Sequence, residues 1–385
     1  MVLSDRYSEE ICEAGLAAGL DRVGIASAEP FDATRRILEQ RRSQGLAASM
    51  QFTYRNPERS TNPAHAMPTV ASLVVGARRY DRSVVPSPSQ DRPMARVARY
   101  ATDDHYGQLR AGLDAVAARL SADGWMARVV LDDNALVDRA AAHRAGLGWY
   151  GKNANVLIPG IGSWVVLGSV LTDAPLPHND DEVPDGCGSC TRCIDGCPTS
   201  AIIGPGVVDA RRCLAWLVQA EGVFPIEYRE ALGDRIYGCD ECQEVCPPSR
   251  RPLLDPDQRD PGPHAQSGSW VDVLEMLATD DAELLARFGR WYIPRREPRY
   301  LRRNAFIVLG NSATLTTPGV TDALERGLAD TDPIVRSHAV WAARRLGLDP
   351  LPPELRFETD PMVRAELDRA VTSRSVPHGS LGLPR

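Results

Sequence analysis

Two periodicities alternate along residues 1–178 of the chain. Three segments place apolar residues at the spacing of an amphipathic helix, and four shorter segments are rich in β-branched and apolar residues, as strands are. The predicted helices are EEICEAGLAAGL (9–20), ATRRILEQRRSQGL (33–46) and YGQLRAGLDAVAARLSADG (106–124). The predicted strands are DRVGIA (21–26), ASLVVGA (71–77), ARVVL (127–131) and SWVVLGSVL (163–171). This alternation predicts an α/β domain over residues 1–178.

Beyond residue 178 the pattern changes twice. A polar, proline-bearing stretch, DAPLPHNDDEVPDG, leads into a cysteine-rich region, and a second polar stretch, PPSRRPLLDPDQRDPGPHAQSGS, ends it. From about residue 270 the pattern is helical, and the final SRSVPHGSLGLPR is typical of a flexible tail. The chain is therefore predicted to be an α+β multidomain protein, with domains at 1–178, 179–250 and 265–360 and a tail at 361–385.

The helical region contains a weak internal repeat. The segments LRRNAFIVLGNSA (301–313) and VRSHAVWAARRLG (335–347) align at a constant offset, which matches Arg302 with Arg336. A period of this length, with helix–turn–helix signals, is typical of HEAT-like helical pairs. Two unrelated amphipathic helices are the alternative.

Composition and charge narrow the class of protein. The net charge of −7 excludes a global attraction to nucleic acid or to an anionic membrane, so such a partner would need a local basic patch. No stretch approaches the roughly 20 apolar residues that span a bilayer. The N-terminal segment has neither the basic start nor the apolar block of a signal peptide. We therefore expect a cytoplasmic protein whose cysteines are reduced thiols available to metals.

Eight of the nine cysteines fall between residues 187 and 246. The segment CGSCTRCIDGCP (187–198) has the spacing C-x2-C-x2-C-x3-C-P, and a shorter echo follows it. This spacing is typical of proteins that bind two [4Fe-4S] clusters. The alternative is a pair of four-cysteine zinc sites, but zinc ribbons usually pair C-x2-C motifs roughly 15–20 residues apart. Cys12 lies in a helical apolar pattern and is predicted to be a buried small side chain.

The ferredoxin pattern predicts how the thiols are shared. In two-cluster ferredoxins the fourth cysteine of each run binds the cluster of the other run. The ligands predicted for the first cluster are Cys187, Cys190, Cys193 and Cys246. The ligands predicted for the second cluster are Cys197, Cys213, Cys239 and Cys242. Cys213 completes the second set from far upstream, across an insertion (LAWLVQAEGV) that is predicted to be helical.

Clusters relay electrons, so a reducible centre is expected elsewhere, and residues 129–170 have the densest chemistry. A predicted strand ends in acidic residues there, and a helix is predicted to begin at Asn134. Arg139 and His143 then fall on one helical face. A glycine-rich loop that follows would let the backbone approach a large flat ligand. No G-x-G-x-x-G follows a strand and no P-loop occurs, so a nicotinamide or nucleotide site is unsupported.

A local basic patch exists despite the acidic net charge. The segment RFGRWYIPRREPRYLRR (287–303) has seven arginines against one glutamate, with four aromatic residues between them. Guanidinium groups bind phosphates and aromatic faces stack on unpaired bases, so this segment predicts contact with single-stranded RNA. A solvated arginine face on a helix is the alternative.

Five segments together resemble the bacterial epoxyqueuosine reductase family. They are RAGLGWYGKNANVLIP, GSWVVLGSVLTDAPL, GCGSCTRCIDGCPTSAI, VDARRCLAWL and IYGCDECQEVCP. The resemblance runs from about residue 10 to 347. It implies a cobalamin-binding α/β domain, a two-[4Fe-4S] ferredoxin-like module and a C-terminal HEAT-like domain that contacts tRNA. The implied reaction reduces epoxyqueuosine to queuosine in a tRNA anticodon loop.

The resemblance also implies roles for particular residues. Asp132 occupies the place of the family's proton donor. The expected cobalamin contacts are Arg55, Tyr100, Tyr106, Arg139, Lys152, Asn153 and Ser163. The expected tRNA contacts are Arg295, Arg296, Arg299, Arg302 and Arg303. Cobalamin is expected base-off and without a protein histidine ligand, since DDHYG (103–107) is not a D-x-H-x-x-G motif.

The chain departs from the family pattern beside the expected substrate pocket. It has His105-Tyr106-Gly107 where members usually read D-Y-H, and Asp132 is followed by Asp133-Asn134-Ala135. These departures leave open a cobalamin enzyme with another substrate, such as a reductive dehalogenase. A ferredoxin-type electron carrier is the non-catalytic alternative. The expected electron donor is a flavodoxin or a ferredoxin.

Overall fold

The computed structural model describes residues 3–80, 89, 91–178, 182–250 and 268–369. Most of the polar stretch predicted after the cysteine-rich region, and the predicted tail from residue 370 onward, lie outside these ranges. The strands are β1 (Arg22–Ser27), β2 (Ser72–Arg79), β3 (Met94–Val97), β4 (Ala127–Val130), β5 (Trp149–Tyr150), β6 (Val156–Leu157), β7 (Val165–Thr172), β8 (Ile202–Gly204), β9 (Val207–Val208), β10 (Arg235–Tyr237) and β11 (Trp270–Asp272).

The helices divide at the cysteine-rich region. Before it lie α1 (Asp5–Ala17), α2 (Asp32–Ser43), α3 (Phe52–Arg55), α4 (Pro57–Ser60), α5 (His105–Ala122) and α6 (Asp138–Arg144). Within and after it lie α7 (Arg192–Asp195), α8 (Leu214–Leu217), α9 (Ile226–Leu232), α10 (Glu241–Glu244), α11 (Pro247–Arg250), α12 (Val273–Ala278), α13 (Asp281–Phe288), α14 (Arg299–Ser312), α15 (Val320–Leu328), α16 (Pro333–Leu346) and α17 (Pro361–Leu367).

A four-stranded antiparallel sheet, in the order β1-β2-β7-β4, forms the frame of the predicted α/β region. Leu73 and Val75 of β2 pack into the core on one face, and Val74 packs into the core on the other. This alternation follows from the two-residue period of a strand. The predicted helices and strands are present, but the sheet is antiparallel throughout instead of being built from parallel βαβ units.

Helices cover both faces of this sheet. On one face α5 packs beside α1, and its buried Leu109, Leu113, Val116 and Leu120 lie at helical spacing, on one stripe. The helix begins where the Asp104 carboxylate accepts a hydrogen bond from the Gly107 N–H at 2.9 Å. On the other face α6 packs against β1, β2 and β7. The loop between β4 and α6 is therefore tied to the sheet at both ends.

The cysteine-rich region has short elements only. Its helices α7, α8 and α10 are single turns, and its β8–β9 hairpin is equally small. The insertion after Cys213, which was predicted to be helical, forms a helix only at Leu214–Leu217. Gly222, at a φ of 82°, and Pro225 interrupt the helical spacing beyond it.

The chain forms two compact units where three domains were expected. Unit 1 comprises Met1–Pro86, Val97–Ala220 and Tyr237–Ser269, and unit 2 comprises Ser87–Arg96, Glu221–Ile236 and Trp270–Arg385. The boundary expected at residue 179 therefore falls inside unit 1. The physical reason is that such short elements cannot bury a core of their own.

Unit 2 contains the two repeat segments as helices of equal length. Helix α14 starts at Arg299 and α16 starts at Pro333, which is the offset of the sequence repeat, and the two helices pack against each other. Ala305 and Ala339, which are equivalent at this offset, are fully buried. The equivalent Arg302 and Arg336 each reach a carboxylate on a neighbouring segment, namely Asp281 and Glu358. The HEAT-like assignment of this pair stays a prediction.

A buried ion pair holds the last described helix in unit 2. The Arg229 Nη2 lies 2.8 Å from the Glu366 Oε1, and the two side chains are 0% and 5% exposed. The Arg229 Nε donates a hydrogen bond to the Phe224 carbonyl oxygen at 3.0 Å. Helix α17, which carries Glu366, also buries Val363. Residues 361–367, which were assigned to a flexible tail, are thus a packed helix.

We predict that Glu366→Gln lowers the free energy of unfolding by about 3–5 kcal/mol, because it leaves the buried Arg229 guanidinium without its counter-charge. Chemical denaturation of the purified chain measures this change. Glu275→Gln is the matched control, since its ion pair with Arg287 in the same unit is solvent-exposed and should contribute little. Equal effects of the two substitutions would contradict the assignment.

Candidate functional site: two thiol groups beside an acidic loop

The thiols of the cysteine-rich region fall into two groups of neighbours. Burial raises the pKa of Cys193, and so do the nearby thiols of Cys246, Cys187 and Cys190. This first thiol group consists of Cys187, Cys190, Cys193 and Cys246.

The second thiol group is defined in the same way. Burial raises the pKa of Cys242 well above its usual value, and the thiols of Cys239, Cys213 and Cys197 raise it further. Cys213 is in turn affected by Cys197. The structure thus places Cys213 with the second group, at the start of α8. The ninth cysteine, Cys12, is half-buried on α1 against the core of unit 1.

The chemistry of this donor set fits iron–sulfur clusters. Clusters are held by four thiolates, and within each group the thiols are close enough for the charge of one to act on another. Among the described residues, no three His, Cys, Asp or Glu side chains are arranged around a point that could hold one metal ion. A four-iron cluster spreads its ligands over four different iron atoms, so they need not converge on one point. Iron must displace the thiol protons that the burial of these groups favours.

The loop between β5 and β6 contacts both cysteine runs. The Lys152 Nζ donates hydrogen bonds to the carbonyl oxygens of Gly188 and Cys190, at 2.6 and 2.9 Å. The Asn153 Nδ2 donates to the Cys242 carbonyl oxygen at 3.3 Å. Both residues were expected to contact cobalamin, which stays a prediction, and the structure shows their side chains bonded to the cysteine loops.

Ser163, another expected cobalamin contact, also bonds to the cysteine-rich region. It lies just before β7, is buried, and its hydroxyl is 3.1 Å from that of Ser249, which closely follows Cys246. The neighbouring Trp164 Nε1 donates to the Ser249 carbonyl oxygen at 2.9 Å. Adjacent Gly162, at a φ of 80°, has no room for a side chain, because a Cβ there would lie 2.6 Å from the Ser249 Cα. Ser163 therefore anchors the second cysteine run to the central sheet.

An acidic loop joins β4 to α6. The helix that was predicted to begin at Asn134 begins at Asp138, so residues 131–137 are loop. The Asp133 carboxylate accepts a hydrogen bond from the Ala135 N–H at 3.0 Å, which forms an Asx turn in place of a helical turn. Ala135 and Leu136 are buried in the core of unit 1. They hold the middle of the loop down, while the side chains of Asp132 and Asp133 stay exposed.

Asp132 has an uncommon backbone and a perturbed carboxyl group. Its φ is 48°, in the left-handed region that non-glycine residues rarely adopt. The surrounding protein raises the pKa of Asp132 by desolvation, and the charge of Asp133 raises it further. Its charge also acts on the Tyr106 hydroxyl, whose pKa is raised chiefly by burial. The residue is thus a carboxyl group with a raised pKa that interacts with a tyrosine.

Asp138 is a component of this site that sequence reasoning missed. Burial raises its pKa well above the usual value, and the charge of Asp132 raises it further. Its Oδ1 is buried with no hydrogen-bond partner among the described residues. In sequence it is an ordinary acid in the first turn of a helix. Only the burial of the loop reveals it.

Arg139 and His143 of α6 point to the β5–β6 hairpin. The Arg139 Nη1 donates to the Ala154 carbonyl oxygen at 3.1 Å, and the ring of His143 stacks on that of Tyr150 with 5.1 Å between centroids. Burial raises the pKa of Tyr150 to about 12, although Arg139 opposes the shift. The Tyr150 side chain is still 42% exposed. This pair offers an exposed aromatic surface beside Arg139.

The other expected cobalamin contacts are dispersed. Tyr100 is buried at its hydroxyl and lies near Tyr237, with ring centroids 6.2 Å apart. Tyr106 follows the first residue of α5, and Tyr237 interacts with both tyrosines. Gly238, at a φ of 73°, has no room for a Cβ beside Ala98, so the chain turns sharply there between Tyr237 and Cys239. Arg55 is exposed at the end of α3.

In unit 2 the arginines predicted to bind RNA differ widely in exposure. Arg303 is 1% exposed and its Nη1 donates to the Gly222 carbonyl oxygen at 2.8 Å, so it is a core residue. Arg302 is held by Asp281 and by the Thr279 carbonyl oxygen. Arg299 forms ion pairs with Glu297 and Asp332. These three guanidinium groups are bonded to other groups of the protein.

The exposed part of the basic segment is smaller than predicted. Arg295 and Arg296 are exposed and have positive φ values of 49° and 55°, and Arg295 forms an exposed ion pair with Glu221. Of the four interleaved aromatic residues, only Tyr292 is exposed, at 55%. The other three, Phe288, Trp291 and Tyr300, are buried. An RNA surface here would consist of Arg290, Tyr292, Arg295 and Arg296.

No helix among the described residues is both long enough and apolar enough to cross a membrane.

Comparison with known proteins identifies the family. Residues 186–249 match the 4Fe-4S double cluster binding domain family. The epoxyqueuosine reductase of Bacillus cereus is 32% identical over 90% of this chain and 90% of its own length. A crystal structure of epoxyqueuosine reductase with an epoxyqueuosine-modified tRNA-Tyr stem loop matches 94% of this chain and 97% of its own, at a TM-score of 0.83 and 28% identity.

A structure of the Bacillus subtilis enzyme, with its aspartate-bearing catalytic loop swung out of the active site, covers the same shares of both chains at a TM-score of 0.81 and 28% identity. These matches extend over both units and over the cysteine-rich region alike. The chain is an oxidoreductase and belongs to the epoxyqueuosine reductase family.

Proposed function

We propose that this protein reduces epoxyqueuosine to queuosine in the anticodon loop of a tRNA. The observation that carries the proposal is the place of Arg139. Its positive charge acts on Cys213 of the second thiol group, and it also acts on Asp138 and Tyr106 beside the acidic loop. The thiols that would hold the source of electrons and the carboxyl groups that would supply protons are therefore both within electrostatic range of one arginine.

The chemistry balances with two electrons and two protons. Removal of the epoxide oxygen leaves a carbon–carbon double bond, and the oxygen departs as water. Asp132 donates the proton that the developing alkoxide needs, and desolvation and the charge of Asp133 raise its pKa in the direction that a general acid requires. Asp138 lies close enough to Asp132 for their charges to interact, which makes it the second carboxyl group of the site.

The second thiol group would hold the cluster nearer to the acidic loop, and the first group would hold the other cluster. Residues of the site also fit a bound cobalamin. The buried Oδ1 atoms of Asn134 and Asp138 have no hydrogen-bond partner among the described residues, and Tyr150 presents an exposed ring beside Arg139. A cobalamin held by these residues would supply electron density to the epoxide carbon.

The partner that fits the whole arrangement is a tRNA carrying epoxyqueuosine. A relative of this chain has been solved with such a stem loop bound. The exposed Arg295, Arg296 and Tyr292 offer two cations and one aromatic face for phosphates and unpaired bases. Electrons would come from a flavodoxin or a ferredoxin.

Asp132→Asn should lower turnover by roughly 10²-fold or more, because the amide cannot donate the proton. Queuosine formed in tRNA, quantified by nucleoside mass spectrometry at matched iron and cobalamin content, measures this loss. For the wild type, turnover should fall as the pH rises through the raised pKa of Asp132, because the protonated form is then lost.

Asp133→Asn is the matched control for Asp132→Asn. It removes the charge that raises the pKa of Asp132, so the decline of turnover should move to lower pH while the maximal rate stays close to that of the wild type. If Asp133→Asn lowers turnover more than Asp132→Asn does, the proton donor is Asp133 and the assignment to Asp132 is wrong. Unchanged turnover in both variants would overturn the proposed mechanism.

Anaerobic reconstitution should give about eight iron atoms per chain, four for each cluster. Cys213→Ser should remove the second cluster and leave about four iron atoms, because it takes away one ligand of the second thiol group. Iron and sulfide analysis with the visible spectrum measures this. Cys12→Ser is the matched control and should keep the full iron content. Full iron in the Cys213 variant would show that another group completes the set.

Replacing both Arg295 and Arg296 by alanine should weaken tRNA binding and reduce the slope of log affinity against log salt by about 1.4, since two phosphate contacts are lost. Binding measured at several salt concentrations tests this. Arg356→Ala, an exposed arginine elsewhere in unit 2, is the control and should leave the slope unchanged. If the double variant and the wild type have the same slope, these arginines are ordinary solvent-exposed side chains that do not contact tRNA.

A further inference from the structure

Lys152 is the single lysine of the chain, which has 44 lysine and arginine residues in total. It lies in the loop between β5 and β6, where its backbone carbonyl oxygen accepts a hydrogen bond from the Gly206 N–H at 2.9 Å. At every other position a permanently cationic side chain is arginine. Lys152 therefore carries the one side-chain ammonium group of the chain.

The contacts of Lys152 show what its ammonium group bonds to. Its ammonium group donates to two converging carbonyl oxygens, those of Gly188 at 2.6 Å and of Cys190 at 2.9 Å. An ammonium is a compact point charge with three donors, whereas a guanidinium is a planar fork suited to carboxylates and phosphates. The compact ammonium group reaches both carbonyl oxygens of the loop that starts at Cys187.

The neighbouring Asn153 gives an internal comparison. Its side chain donates to the Cys242 carbonyl oxygen at 3.3 Å and accepts from the Asn155 N–H at 3.2 Å. The two adjacent residues thus contact one cysteine loop each, Lys152 the first and Asn153 the second. Only the contact with the first loop carries a charge.

We propose that Lys152 is a positioning residue that holds the first cysteine loop and raises the reduction potential of the cluster bound by Cys187, Cys190, Cys193 and Cys246. The inference rests on the clusters of the proposed function. A cluster takes up one electron from an external reductant and becomes more negative by one charge. A fixed positive charge nearby stabilises the reduced form more than the oxidised form, so the midpoint potential is higher than it would be without that charge.

The test is a potentiometric titration of the reconstituted full-length protein with dithionite, followed by electron paramagnetic resonance. Lys152→Gln should lower the midpoint of the first cluster, because it keeps a donor and loses the charge. Lys152→Arg should leave that midpoint closer to the wild-type value. Asn153→Ala is the uncharged control and should not move it. The Cys213→Ser chain is expected to keep only the first cluster. Repeating Lys152→Gln in that chain shows which resonance signal belongs to the first cluster.

If Lys152→Gln loses iron, chemical modification of Lys152 tests the inference instead. In the loaded wild type, acetylation removes the Lys152 charge and reductive methylation keeps it. Acetylation should then lower the midpoint and methylation should not, with the Lys152→Arg chain correcting for the N-terminal amine. Unmoved midpoints at full iron content after Lys152→Gln, or after acetylation, would overturn the inference and leave the proposed function standing. A wild type that binds no iron would overturn the proposed function itself.

Discussion

The structure depends on a few polar contacts that hold two nearly unstructured cysteine loops against a rigid sheet. The helices of these loops are single turns, so the loops cannot fix eight thiols by their own packing. Their carbonyl oxygens are instead bonded by Lys152, Asn153 and Trp164, whose positions are set by the β5–β6 hairpin and by β7. Because these anchors belong to the sheet domain, the thiols and the acidic loop form one compact unit.

The acidic loop combines two unfavourable features, a strained backbone and like-charge repulsion, that a purely structural loop would avoid. Asp132 has a left-handed backbone, and it brings its charge close to those of Asp133 and Asp138. Such strain and like-charge repulsion persist only where the surroundings hold them in place, and they are typical of catalytic sites. Here the buried Ala135 and Leu136 hold the loop, and the repulsion itself keeps the carboxyl groups protonated to higher pH.

Unit 2 contains both buried and exposed arginines. Arg229 and Arg303 are fully buried and bind carbonyl oxygens or a carboxylate, so they hold the helices together. Arg295 and Arg296 stay exposed on a strained turn. The same residue type therefore serves the core and the surface of one helical unit, because a guanidinium is buried at low cost only where its donors find acceptors or an aromatic face.

The sequence by itself determined the family, the cysteine content, the helices and strands of the N-terminal α/β region and the offset that relates α14 to α16. These are local properties, since ligand spacing and hydrophobic period are written in neighbouring residues. Only the tertiary structure decided that Lys152, Asn153 and Ser163 bind the cysteine loops, that Asp138 lies under Asp132, and that Arg303 is buried. Each of these depends on which distant backbone groups a side chain meets, and no spacing along the chain encodes the partner.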